Sequence, residues 1–66
     1  MIEIMSADKA TEILRNEGVR ISPETVRLGI QQGVFPFGDC VMKDGRISWC
    51  YIYANKLEKW IRDKTK

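Results

Sequence analysis

The segment 21–33 constrains this chain most, because it predicts a short helix with clear signals at both ends. Ser22 fits the N-cap position, and Pro23 has the backbone angle that the first helical residue requires. Gly33 fits the left-handed conformation that ends many helices. We therefore expect a helix over about residues 23–32.

The exposed surface of this helix is unusual in its residue types. Val26, Gly29 and Ile30 share one face, because residues three and four apart lie together on a helix. The other faces then carry Thr25, Arg27, Leu28, Gln31 and Gln32. A second helix with such a surface, close behind a first, is typical of a DNA major-groove recognition helix.

Length and composition predict one small domain over residues 1–66. The chain is 44% hydrophobic and 30% charged, as in ordinary globular proteins, and its net charge of +2 is only mildly basic. No segment reaches transmembrane length, and the N-terminus lacks the basic region of a signal peptide. We expect a cytoplasmic protein that has no contact with membranes.

The remaining elements predict a mainly α fold with one β-hairpin. Ser6 can cap a helix of about 7–16, and a third helix of about 54–62 closes the chain. Between them, strand-like residues over about 40–53 flank an Asp44-Gly45 turn, which favours a hairpin.

The aromatic residues are expected mainly in the core. Phe35 and Phe37 fit core anchors beside a proline, and Trp49, Tyr51 and Trp60 fit the core better than base stacking. In the second strand both faces carry apolar side chains, so its alternation does not identify the buried face.

Cys40 and Cys50 stand on the two strands of the predicted hairpin. They fall short of the four ligands that a structural zinc site needs, and the chain has no histidine. A disulfide across the hairpin is geometrically open, but in a reducing cytosol two small, partly buried free thiols are the favoured interpretation.

The sequence does not favour an enzyme. Acid–base or nucleophilic catalysis needs paired titratable groups in a pocket, and the carboxylates here are scattered. Asp39 and Asp44 fit turn positions. We expect no catalytic residues, no cofactor and no metal.

The order helix, helix, hairpin, helix resembles the MerR-type winged helix-turn-helix domains, above all the small excisionase-like members of phages and mobile elements. The resemblance covers nearly the whole chain, although no single motif is diagnostic. The turn over 15–20 is longer than the family pattern. The matching segments are Ser6–Leu14, Ile21–Arg27, Gly33–Pro36, Asp44–Ile47 and Ile52–Ile61.

This resemblance implies a DNA interface made by the second helix and the hairpin, or wing. The second helix would enter the major groove, where Arg pairs with guanine and Gln with adenine. The wing would meet the backbone or the adjacent minor groove. The implied contacts are Thr25, Arg27, Gln31 and Gln32 toward bases or nearby phosphates, and Arg20, Ser22, Lys43 and Arg46 toward phosphates. Each of these side chains could alternatively be only solvated or, for Ser22, only a cap.

Three functions fit these expectations. The first is an excisionase-like recombination directionality factor that binds double-stranded DNA beside an integrase or recombinase. The second is a phage or mobile-element transcriptional regulator of the same fold. The third is a protein-interaction module for an integrase or repressor, which would use an apolar patch such as Leu28 with Val34. Because no dimerisation helix follows, we expect monomers that bind repeated sites, with cooperative self-association on DNA.

Overall fold

A computed structural model describes residues 1–65 and contains three helices and three strands. The helices lie where the sequence predicts them, with the second ending one residue earlier and the third two residues later than expected. The elements in chain order are β1 (Ile4–Met5), α1 (Ala7–Asn16), α2 (Pro23–Gln31), β2 (Gly38–Lys43), β3 (Arg46–Tyr53) and α3 (Ala54–Lys64).

The three strands form one antiparallel sheet in the order β1-β3-β2. The fold is therefore mixed α and β, and the expectation of a mainly α protein with a hairpin alone was too coarse. β1 was not predicted, because two residues are too few to show an alternating pattern. Ile4 pairs with Tyr53 and Met5 pairs with Ile52.

The hairpin turns at Asp44-Gly45, as the sequence predicts. Both central residues have positive φ, 54° at Asp44 and 78° at Gly45, which the paired Asp-Gly sequence favours. The pairing shifts between Val41 and Met42, because Val41 lies opposite Trp49 whereas Met42 lies opposite Ile47. This bulge leaves Lys43 directly opposite Arg46 at the tip.

The core lies between the helices and one face of the sheet. β3 contributes Cys50 and Ile52 to it. The sequence expectation that Trp49 and Tyr51 are core residues is wrong, since they are 52% and 38% exposed. They lie on the opposite face because side chains alternate along a strand. The largest fully buried side chains are Phe37, Leu14, Ile52, Leu57 and Val26.

An aromatic cluster joins α3 to the segment after α2. Phe35 and Phe37 stack with centroids 5.2 Å apart, and Trp60 meets them edge-on at 5.8 Å and 5.5 Å. These three residues confirm the predicted core anchors. Gly29 of α2 lies against the same cluster, where a Cβ atom would overlap the ring of Phe35. Glycine at this position thus lets α2 approach the cluster closely.

Cys40 and Cys50 form a disulfide bond. They are directly opposite each other in β2 and β3, with Cα atoms 4.1 Å apart. The expectation of two free thiols is therefore not met. The sequence predicts that each cysteine lies on one strand of the hairpin. Whether the two cysteines lie directly opposite each other depends on the strand register, which the sequence pattern alone does not determine.

Reduction of this bond is expected to lower the free energy of unfolding by about 2–3 kcal/mol. The reason is that the unfolded chain gains conformational entropy when the short loop between the cysteines is no longer closed. Urea unfolding with and without a phosphine reductant measures the difference. Cys40→Ser is the matched control, because reductant should not change its midpoint. If an alkylating reagent labels both cysteines of the folded, unreduced protein, the bond is absent and the prediction fails.

Within residues 1–65, no helix is both long enough and apolar enough to cross a membrane.

Candidate nucleic-acid interface

The start and the end of α2 have the geometry that the sequence predicts. Ser22 is extended at the N-cap, and its Oγ accepts a hydrogen bond from the Thr25 amide at 3.3 Å. Gly33 has a φ of 78°, and the Val34 amide donates to the Gly29 carbonyl at 2.8 Å, which closes the helix end. α2 is therefore held at both ends by local bonds.

α2 buries one face and presents the other to solvent. Val26, Gly29 and Ile30 are buried, as expected. A turn of 100° per residue places Arg27 and Gln31 together on one edge of the solvent face, with Thr25 and Gln32 on the other edge. The exposed members are Glu24, Thr25, Leu28, Gln31 and Gln32, whereas Arg27 is half-buried.

Arg27 pairs with a carboxylate that the sequence analysis did not connect to it. Its Nη2 lies 3.7 Å from Asp8 Oδ1 in the first turn of α1. The Asp8 side chain is 74% exposed, so water screens the pair and its contribution is about 0–1 kcal/mol. Arg27 can therefore exchange this partner for a phosphate or a base edge at little cost. Only the packing of α1 against α2 reveals the pair.

If α2 binds duplex DNA as the family resemblance implies, Asp8→Asn is expected to strengthen that binding by up to about fivefold, since it frees Arg27 and removes one repelling charge. Titration of labelled duplex at constant salt measures the change. Glu12→Gln is the matched control on α1, because it removes an equal charge from an ion pair with Lys9 instead. A weaker affinity for Asp8→Asn than for Glu12→Gln contradicts the role given to Arg27.

The turn between α1 and α2 is held by Arg15. Its Nε donates a hydrogen bond to the Ile21 carbonyl at 2.8 Å, across the residues that make this turn long. Val19 packs on the core, and Arg20 stays exposed just before the cap. Arg15 is a positioning residue that sequence reasoning missed. In the sequence, Arg15 is recognisable only as a basic residue in the last turn of a helix. Such a residue is usually explained by its favourable interaction with the helix dipole.

The hairpin presents Lys43 and Arg46 at its tip, both exposed and paired across the strands. Its base lies against α2, where Cys40 Sγ is 3.6 Å from the Arg27 carbonyl oxygen. Lys43 follows Cys40 by three residues, which is about 10 Å along a strand. The structure therefore brings α2 and the hairpin together at their bases.

Trp49 is a further member of this region that the sequence placed in the core. It lines a shallow depression together with Arg27, Asp8 and Ser6. The sequence carried no signal for this position, because both faces of β3 are rich in apolar residues.

The charges of this surface nearly balance. Four cations, Arg20, Arg27, Lys43 and Arg46, stand among the carboxylates of Asp8, Glu24 and Asp44. The long-range electrostatic field of this surface is therefore weak, so binding of a charged ligand would depend on close contacts. Within residues 1–65, no three potential histidine, cysteine or carboxylate ligands cluster as a metal site.

Comparisons with known proteins found no relative of this chain. No family model matches it, and no curated protein or solved structure matches it significantly.

Proposed function

We propose that this protein is a sequence-selective binder of double-stranded DNA with a winged helix-turn-helix fold. One observation carries the proposal. α2 presents Arg27 and Gln31 together on one edge of its solvent face, and the base of a cationic wing packs beside it. In this proposal α2 enters the major groove, and the wing tip meets the backbone or the adjacent minor groove.

The side chains supply the required chemistry. Arg27 can donate two hydrogen bonds to guanine, and Gln31 can pair with adenine. Thr25 and Gln32 extend the contact along the opposite edge of the helix. The amides at the start of α2, with Ser22 and Arg20, suit one phosphate, and Lys43 and Arg46 suit others.

For the biological role we propose an excisionase-like accessory factor, which acts in the cytoplasm beside a recombinase and catalyses no reaction itself. This role rests on the resemblance in element order and motifs. A transcriptional regulator of the same fold needs the same interface and differs in the arrangement of its sites.

A protein-interaction module is the second candidate, and a specific observation favours it. Leu28 on α2 and Val34 after it are 46% and 63% exposed, and a partner protein that covered them would remove apolar surface from water. The same pair could support self-association of copies bound to neighbouring DNA sites.

Fluorescence anisotropy of labelled duplexes tests DNA binding. The region around the protein's own gene is compared with a random duplex of equal length across a salt series. We expect tighter binding to the native region and an affinity that falls with salt. If neither duplex binds at low salt, the DNA proposal fails and Leu28→Ser with a partner pull-down becomes the decisive experiment.

A further inference from the structure

The sheet has a second surface, which meets the proposed duplex interface at the cations of the hairpin tip and at the edge beside Trp49. The core lies on the face of Cys50 and Ile52, so the alternate residues form the opposite face. We call this the outer sheet face. It consists of paired residues, Ile4 with Tyr53, Tyr51 with Asp39, Trp49 with Val41 and, beyond the bulge, Arg46 with Lys43.

We propose that the outer sheet face binds single-stranded DNA by stacking bases on Trp49 and Tyr51. The two rings are 52% and 38% exposed, whereas aromatic side chains are ordinarily buried where a core is available. Stacking on exposed rings is a main source of affinity for single strands and accepts any base, since each base has a flat face.

The spacing of the two rings suits this ligand. Trp49 and Tyr51 stand two residues apart on β3, about 7 Å along the strand. This is roughly twice the 3.4 Å repeat of stacked bases. Each ring can therefore receive its own base from an extended strand.

The charges around the rings favour a polyanion. Lys43 and Arg46 lie at the tip end of the face, and Lys56 Nζ lies 5.4 Å from the Tyr53 ring centroid at the other end. The carboxylates of this region are Asp44 in the turn and Asp39 within the face, and Tyr53 Oη donates a hydrogen bond to Asp39 at 2.8 Å. That bond is the main reason why the pKa of Tyr53 is raised above its ordinary value. The cations Lys43, Arg46 and Lys56 outnumber these two carboxylates, so the net charge beside the aromatic rings is positive and complements a phosphate backbone with unpaired bases.

The experiment titrates the full chain into fluorescein-labelled (dT)12 and, in parallel, into the duplex bound most tightly. We expect (dT)12 binding that weakens with salt. Tyr51→Ala and Trp49→Ala should each weaken it by about 5–150-fold, and Trp49→Phe should retain most of the affinity. Val34→Ala is the control, since Val34 is an apolar side chain that is 63% exposed and lies outside the face. Thermal unfolding establishes that each variant is folded.

The two proposals share Lys43 and Arg46, but variants of other residues distinguish them. Arg27→Ala should weaken duplex binding and leave (dT)12 binding unchanged, whereas Tyr51→Ala should do the reverse. Absence of (dT)12 binding at low salt overturns the inference. So does equal (dT)12 affinity for the wild type and a folded Tyr51→Ala protein. A Trp49→Phe variant as weak as Trp49→Ala also contradicts stacking, because the phenyl ring keeps the flat face.

Discussion

Trp60→Ala is expected to lower the free energy of unfolding by about 3–5 kcal/mol, which is comparable to the whole stability of a domain this small. Trp60 closes the aromatic cluster, with edge contacts to Phe35 and Phe37. Its loss leaves a cavity where α3 meets the segment that follows α2. Urea unfolding followed by far-ultraviolet circular dichroism measures the change.

Two control variants separate packing from the mere loss of an indole. Trp60→Phe keeps an aromatic ring in the cluster and should cost less than Trp60→Ala. Trp49→Ala removes the other tryptophan, which is exposed, and should change stability by only about 1 kcal/mol or less. A Trp60→Ala protein as stable as Trp49→Ala would show that α3 contributes little to the core.

Arg27→Ala is expected to weaken binding to the preferred duplex by about 5–150-fold and to reduce the preference over random duplex. The physical reason is the loss of a two-hydrogen-bond contact to a base, worth about 1–3 kcal/mol. Arg46→Ala should weaken all duplexes alike and reduce the salt slope by about 1, as expected for one lost phosphate contact. Anisotropy across a salt series measures both affinity and slope.

Arg62→Ala controls for charge alone, because Arg62 lies in the last turn of α3, outside the proposed interface. It should leave the sequence preference intact. If Arg62→Ala reduces affinity as much as Arg27→Ala does, binding reflects net charge and the recognition role of α2 is wrong.

The parts of the fold that the sequence predicts well are those with local signals. Ser22, Pro23 and Gly33 define α2 through caps whose partners lie within a few residues. Asp44-Gly45 defines the hairpin turn through its own backbone preferences. Such features require no knowledge of the tertiary arrangement.

The parts that it does not predict depend on long-range packing. The buried face of β3 is set by the helices, since an alternating pattern with apolar groups on both faces fits either orientation. Trp49 and Tyr51 are expected in the core because they are aromatic, but the structure exposes both side chains. The pairing of Arg27 with Asp8 and the bond between Cys40 and Cys50 likewise require the register and the helix packing.

The sequence predicts which residues belong to the candidate site, but it does not predict how they lie relative to one another. Thr25, Gln31 and Gln32 are exposed on α2 as expected, and Lys43 and Arg46 lie at the hairpin tip. The structure adds the contact between β2 and α2 at Cys40, which brings the two parts together.

The central claim is that α2 and the wing tip form one duplex-binding surface, and NMR chemical-shift mapping tests it most directly. The 66-residue chain, labelled with ¹⁵N, is titrated with the preferred duplex. We predict that the largest amide and side-chain shifts fall on Thr25, Arg27, Gln31 and residues 43–46, and that α3 changes little. Shifts concentrated on α3, or no shifts on α2 despite saturation, would contradict the account.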